Sequence, residues 1–231
     1  MRRSTDNGVS WTTITSGLGS TSINSIVYGG SVWLSGGTNG SITRSTNDGA
    51  SWSAVTSGFG ANAVRGLAYG NGNWVAVGSA GTVRRSTDNG VTWTSVVSGF
   101  SSIPFFAVSY DNGVWIAVGG SGTIIRSTDN GLNWTTVPPF ATIATFVSVA
   151  YGGGAWVISG YQVYRSTDNG LTWLVITGGF ANYPVFYANS IWMSGGANGF
   201  SRRSVYDPAS INVSSVRASP PNTYLYTGEA P

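Results

Sequence analysis

The chain repeats itself, and that limits the folds open to it more than any other feature. The string RRSTDNGVSWT at residues 2–12 returns as TRSTNDGASWS from 43, RRSTDNGVTWT from 84, IRSTDNGLNWT from 125 and YRSTDNGLTWL from 164. A degraded copy, RRSVYDPASIN, starts at 202, and the successive spacings are 41, 41, 41, 39 and 38 residues. Between these boxes runs a second signature, a Tyr followed five residues later by a Trp: Tyr28 with Trp33, Tyr69 with Trp74, Tyr110 with Trp115, Tyr151 with Trp156 and Tyr187 with Trp192. Together the two signatures account for all 10 Trp. A period of about forty residues means one supersecondary unit per repeat, stacked on its neighbours.

The unit is all-β. In residues 63–98, AVRGLAYG, NWVAVG, TVRRST and VTWTSVVSG read as four strands, parted by NGN, SAG and DNG. Asn-Gly and Asp-Gly turns supply the positive φ that tight hairpins require, and the runs between them alternate with β-branched and aromatic residues. Four strands per repeat predict one propeller blade. Residues 22–57, 63–98, 104–138 and 145–178 make four blades. The leftover strands at 2–15 and 183–205 combine into a fifth, so the expectation is a five-bladed β-propeller of four-stranded blades over 1–205, its ring closed by N- and C-terminal strands. Residues 2–5 are expected to be preferred over 200–205 as third strand of the closing blade, because they run on into Asp6, Gly8 and Trp11. Residues 206–231, with three Pro in the last twelve and no hairpin turn, read as an extended C-terminal arm suited to assembly.

Composition narrows the chemistry. There is no Cys and no His, and all 11 basic residues are Arg, against 8 acidic ones. A thiolate nucleophile, an imidazole base, a disulfide and an ordinary zinc or copper site are therefore excluded. No cofactor and no metal site is expected. The net charge of +3 reflects few acids rather than many bases, and no Arg run exceeds two residues, so nucleic acid is not an expected partner. No signal peptide and no membrane insertion is expected.

The pattern Ser-x-Asp-x-Gly-x-x-Trp, as in Ser86, Asp88, Gly90 and Trp93, resembles the Asp-box (BNR) repeat. The resemblance covers about residues 1–205 and implies a propeller with the box on the turn between strands three and four. Asp6, Asp48, Asp88, Asp129 and Asp168 are then structural, each tying its own turn, and each box Trp packs between sheets. The interleaved YGNGxWVAVG strands resemble repeats of tailed-bacteriophage particles and fibres and of bacterial adhesive proteins. Sialidases of the box family use carboxylates and an arginine triad. Here the one Glu, Glu229, lies outside the repeats and most Asp belong to boxes, so no enzyme activity is expected.

Two sets of residues are candidates for binding. Arg3, Arg44, Arg85, Arg126 and Arg165 share one register just before the box Ser, either as an anion-binding ring or as scaffold repeated in every blade. The second set lies at the opposite end of the blades, where the linkers differ from repeat to repeat. Asn24, Arg65, Phe106 and Tyr183 occupy one equivalent position in strand one there, with Tyr161 and Gln162 in a shortened turn. The expected function is a binding or structural part of a phage particle or other extracellular assembly, with structural proteins, cell-surface glycan or further copies of the chain in a homo-oligomer as the expected partners. The alternative is a soluble carbohydrate-binding lectin with blade-wise pockets.

Overall fold

The computed structural model describes residues 1–138, 144–176, 183–195, 200–205 and 212–217, with side chains described as far as residue 195. It is built from short antiparallel strands. A hairpin of β1 (Arg2–Arg3) and β2 (Thr12–Thr13) comes first. Five four-stranded sheets follow. The first contains β3 (Ile23–Gly29), β4 (Val32–Gly37), β5 (Ile42–Ser45) and β6 (Ser53–Val55), and the second β7 (Val64–Gly70), β8 (Asn73–Gly78), β9 (Val83–Ser86) and β10 (Thr94–Val96). The third is β11 (Phe105–Asp111), β12 (Val114–Gly119), β13 (Ile124–Ser127) and β14 (Thr135–Thr136). The fourth is β15 (Ser148–Gly152), β16 (Ala155–Ser159), β17 (Val163–Ser166) and β18 (Leu174–Ile176). The last is β19 (Val185–Ala188), β20 (Ile191–Gly195), β21 (Phe200–Val205) and β22 (Asn212–Arg217). Every sheet is a meander in sequence order.

The turns form where the sequence supplies positive φ. Between strands one and two, Asn71 and Gly72 have φ 46° and 76°, and Asn112 and Gly113 have 47° and 75°. Two successive positive φ values are the type I′ signature that matches the twist of a hairpin. The register then repeats: Trp33 faces Ser45, Trp74 faces Ser86, Trp115 faces Ser127 and Trp156 faces Ser166.

Sheets stack face to face, and the core lies between them. Leu34 and Ile42 of the first sheet pack with Val64, Leu67 and Trp74 of the second. Val75 and Val83 of the second pack with Phe105, Val108 and Trp115 of the third. Ile116 and Ile124 pack with Phe146, Trp156 and Tyr164 of the fourth, and Val157 and Val163 with Val185 of the fifth. The second strands of the first four sheets are therefore buried on both faces, which is why NWVAVG and VWIAVG have no polar alternation, while β20 of the fifth sheet stays partly exposed.

The ends differ from the sequence expectation. The N-terminal strands do not complete the fifth sheet; among the described residues β1 pairs with β2 alone. Trp192 faces Ser204 and Met193 faces Arg203, so β21 holds the third-strand position, and β22 adds the fourth. Residues 212–217, expected to be part of the arm, thus lie in a blade, because Asn212–Arg217 alternates small, polar and β-branched residues that suit an edge strand. The rest of the expected arm lies outside the described residues.

Candidate functional site

The box turns are a hydrogen-bonded device repeated in the N-terminal hairpin and the first four sheets. In the second sheet Ser86 Oγ donates to Asp88 Oδ1 at 2.7 Å and accepts from Gly90 N at 2.9 Å. Asp88 in turn accepts from Thr92 N and Thr92 Oγ1, and Trp93 Nε1 donates to the Gly90 carbonyl at 3.2 Å. The N-terminal hairpin builds the same turn from Ser4, Asp6, Gly8, Ser10 and Trp11. These bonds hold the carboxylates in the charged form. The hydroxyl and N–H of Ser10, with Ser4, lower Asp6 to about 2. Partial burial raises Asp88, but donors from Thr92, Ser86 and Val91 outweigh it and bring the carboxyl to about 2. Burial is likewise outweighed at Asp168 by Ser166 and Thr172, again to about 2, and Asp129 is lowered against burial by Asn133 and Ser127.

One box assignment changes. In the first sheet Asn47, not Asp48, fills the box position: its Oδ1 accepts from Ser45 Oγ at 2.9 Å and Ser51 N at 3.0 Å, while its Nδ2 donates to Ser51 Oγ. Asp48 takes the following, left-handed position, φ 55°, where the other boxes have Asn. The two residues are exchanged in TNDG, and counting three residues on from Ser45 rather than two misplaces the acid.

The arginine register joins sheets. Arg3 Nε donates to the Asp48 carbonyl, Arg44 to Asn89, Arg85 to Asn130 and Arg126 to Asn169, at 2.6–2.8 Å, each reaching the box turn of the next sheet. Arg165 holds the same register on β17. The Nε groups of these four arginines are struts to main-chain carbonyls, and Arg85 Nη2 also donates to Asn73 Oδ1. Asn71 and Asn112 of the Tyr-Trp turns donate to Asn130 and Asn169 of the following boxes, so both turn types lie at one end of the molecule.

The other candidates surround the axis. The first strands β3, β7, β11, β15 and β19 line one cavity of about 580 Å³, a volume in the range of small-ligand sites. Asn24, Arg65 and Phe106 all reach it. Each sits at a β-bulge, where pairing with the second strand skips from Ile23 to Ser25, from Val64 to Gly66 and from Phe105 to Ala107. A bulge re-aims the extra side chain. The Arg65 guanidinium carbon lies 5.0 Å from the centre of the Phe106 ring, and its Nε donates to Ser79 Oγ at 3.3 Å. Asn24 Nδ2 donates to the Val64 carbonyl at 2.8 Å, bracing the first strand against the second sheet's. Tyr183 lies one residue before Pro184 of the lining, and its carbonyl accepts from Ser159 Oγ. Tyr161 and Gln162 stand apart on the turn between β16 and β17; Tyr161 is 72% exposed and Gln162 accepts from Tyr164 Oη at 3.3 Å.

Sequence reading missed the other contributors, Asp111, Tyr151, Phe186 and Tyr187, which line the cavity from the ends of the first strands. The Tyr-Trp signature pointed to two of them. It did not indicate that the Tyr of one sheet lies flat on the Gly of the sheet before: a Cβ on Gly29, Gly70 or Gly152 would collide with Tyr69, Tyr110 or Tyr187.

Geometry alone leaves the chain's relatives to be found by comparison. No family model matches the chain, and no curated protein does. Solved structures do. A chain of the mitotic checkpoint complex superposes with TM-score 0.74 at 13% identity, covering 93% of this chain and 71% of that one. YCF48 from Cyanidioschyzon merolae gives 0.64 at 13% identity over 84% and 71%, and YCF48 bound to D1 peptide gives 0.63 at 15% over 82% and 64%. An ancestral GH74 enzyme gives 0.72 at 19% identity, covering 94% of this chain and 35% of its own. The fold is a β-propeller. The GH74 likeness corrects the expectation that the chain is no enzyme, because the same scaffold carries an enzyme elsewhere and fold does not decide activity. Asp48 also lies outside the box bonds, so among the described residues the box turns hold Asp6, Asp88, Asp129 and Asp168 but not the fifth acid expected there, and Asp111 lines the cavity.

Proposed function

We propose that the chain is a recognition propeller whose axial cavity takes an extended, acidic segment of a protein partner at the end carrying the variable linkers. The observation that carries this reading is the convergence of unlike side chains, Asn24, Arg65 and Phe106, from equivalent bulges onto one cavity. A ligand without fivefold symmetry needs such differences, while the opposite end varies far less from repeat to repeat. Arg65, exposed and laid over Phe106, presents planar donors suited to a carboxylate. YCF48, of like fold, has been solved with a peptide, which favours a peptide over a rigid ligand. Assembly within a particle, a phage particle among them, is the extracellular setting proposed for such binding.

A glycan is the second reading, favoured by Tyr151 and Tyr187 among polar groups in the same cavity. Probing a peptide array of graded acidity beside a glycan array separates the two. Retention on acidic peptides that is lost in Arg65→Ala supports the proposal. Retention on sugars alone supports the lectin.

A further inference from the structure

One position of the first strands departs from the repeat. The strand ends on Gly29, Gly70 and Gly152 in the first, second and fourth sheets and on Ala188 in the fifth, but on Asp111 in the third. Each of those three glycines lies against the Tyr ring of the next sheet, too close to admit a Cβ. Asp111 brings a whole carboxylate to that place, and Tyr151 of the sheet that follows lines the axial cavity beside it. The carboxylate is exposed. Its Oδ1 accepts from Asn112 N at 2.7 Å, while no described residue donates to Oδ2.

The cavity is therefore polarised along its length. Among the described residues that line it, the charged ones are Arg65 and Asp111, and they stand at opposite ends. Arg65 lies over Phe106 at the end of the variable linkers, and Asp111 follows Phe106 by five residues toward the Tyr-Trp turns. At about 3.3 Å per residue of strand, the two charges are about 17 Å apart. Tyr151 and Tyr187 line the Asp111 end, each tilted against its own Trp with ring centres 5.1 and 5.0 Å apart. A carboxylate beside phenol rings suits an ammonium or guanidinium group, which is attracted to the rings as well as to the opposite charge. A hard divalent metal needs several more oxygen ligands, and no group of three acids lies together among the described residues.

We propose that the Asp111 end of the axial cavity is a cation subsite, taking the side chain of a lysine or arginine on the same extended segment whose acid Arg65 holds. This rests on the reading of the cavity as a site for an acidic segment, and it adds that the segment carries both charges. Extended peptide advances about 3.3–3.6 Å per residue, so acid and base stand about five residues apart. The two ends also set which way round the segment lies, since Arg65 repels a base and Asp111 an acid.

Peptides with one Glu and one Lys about two, five or eight positions apart in a Gly-Ser backbone are titrated at low salt into the full-length chain and followed by fluorescence anisotropy. The peptide of middle spacing is expected to bind best, and about fivefold more tightly than the same peptide carrying acetyl-lysine. Asp111→Asn should remove that difference, while Arg65→Ala weakens both peptides alike. Asp111→Lys should reverse it, favouring Glu in place of the Lys. Melting curves that match the parent show each variant to be folded. Equal binding of the lysine and acetyl-lysine peptides by the parent, with the dependence on Arg65 intact, overturns the cation subsite and leaves the acidic-segment reading standing. Binding that needs no Glu, or no binding of any peptide, overturns both.

Discussion

Asp88, Asp129 and Asp168 each accept hydrogen bonds from a hydroxyl or amide side chain and from the backbone of the same turn, and this makes the box acid-sensitive. A carboxyl whose folded pKa lies below its unfolded value stabilises the fold above the unfolded pKa, and that contribution is lost as pH falls through the folded one. With the ordinary value at 3.8 and Asp6, Asp88 and Asp168 at about 2, melting temperature should hold down to about pH 4 and fall between there and pH 2. Asp88→Asn should flatten part of that slope in a series of melts, since Asn47 already shows that an amide can fill the position. A melting temperature that rises toward pH 2 would contradict the account. Residues of the box interior act through volume as well. Trp173, 6% exposed and bonded to the Gly170 carbonyl, should cost about 3–5 kcal/mol on truncation to Ala, as other buried aromatics do, measured by urea unfolding.

At the scale of the blade, a strand-one glycine accepts the ring of the next blade's Tyr. Gly70→Ala puts a methyl into the Tyr110 ring and should destabilise by about 1–3 kcal/mol, the usual range for overpacking. Asp111 occupies the equivalent place in the third sheet, where the chain already tolerates a side chain, so Asp111→Ala should stay within about 0.5 kcal/mol. Denaturation midpoints of the two variants test the contrast; equal losses would show that the Tyr-on-Gly contact is not what sets the blade spacing. Much of this level was legible in the sequence. Asn-Gly turns and β-branched runs placed the strands, and the repeat gave the register, because each is a local property of consecutive residues. The bulges at Asn24, Arg65 and Phe106 were not legible, since a skipped partner depends on the neighbouring strand rather than on the bulged residue. The Asn47 and Asp48 exchange was legible from the spacing to Trp52 and hidden by the expectation that the acid always serves the turn.

For the molecule as a whole, the repeat determines the stack but not how it ends. Two ArgArgSer segments are equivalent by local pattern, and the choice between them rests on long-range pairing that periodicity does not encode. Because β22 is the edge of the fifth sheet, removing residues 207–231 should lower the melting temperature, contrary to what a detached arm would do; an unchanged melt would return those residues to the arm. The cavity, too, exists only once five first strands converge, so its outline was visible in the variable linkers while Asp111, Tyr151 and Tyr187 were not. The central claim is that one end of the propeller holds the fold and the axial cavity recognises a partner. The most direct test measures melting temperature and capture on an acidic-peptide array together for Arg65→Ala, Phe106→Ala and Trp173→Ala. The account predicts that the first two melt within a few degrees of the parent and lose capture at least tenfold, while the third loses thermal stability. Full capture by both cavity variants, or a collapse of stability in all three, would contradict it.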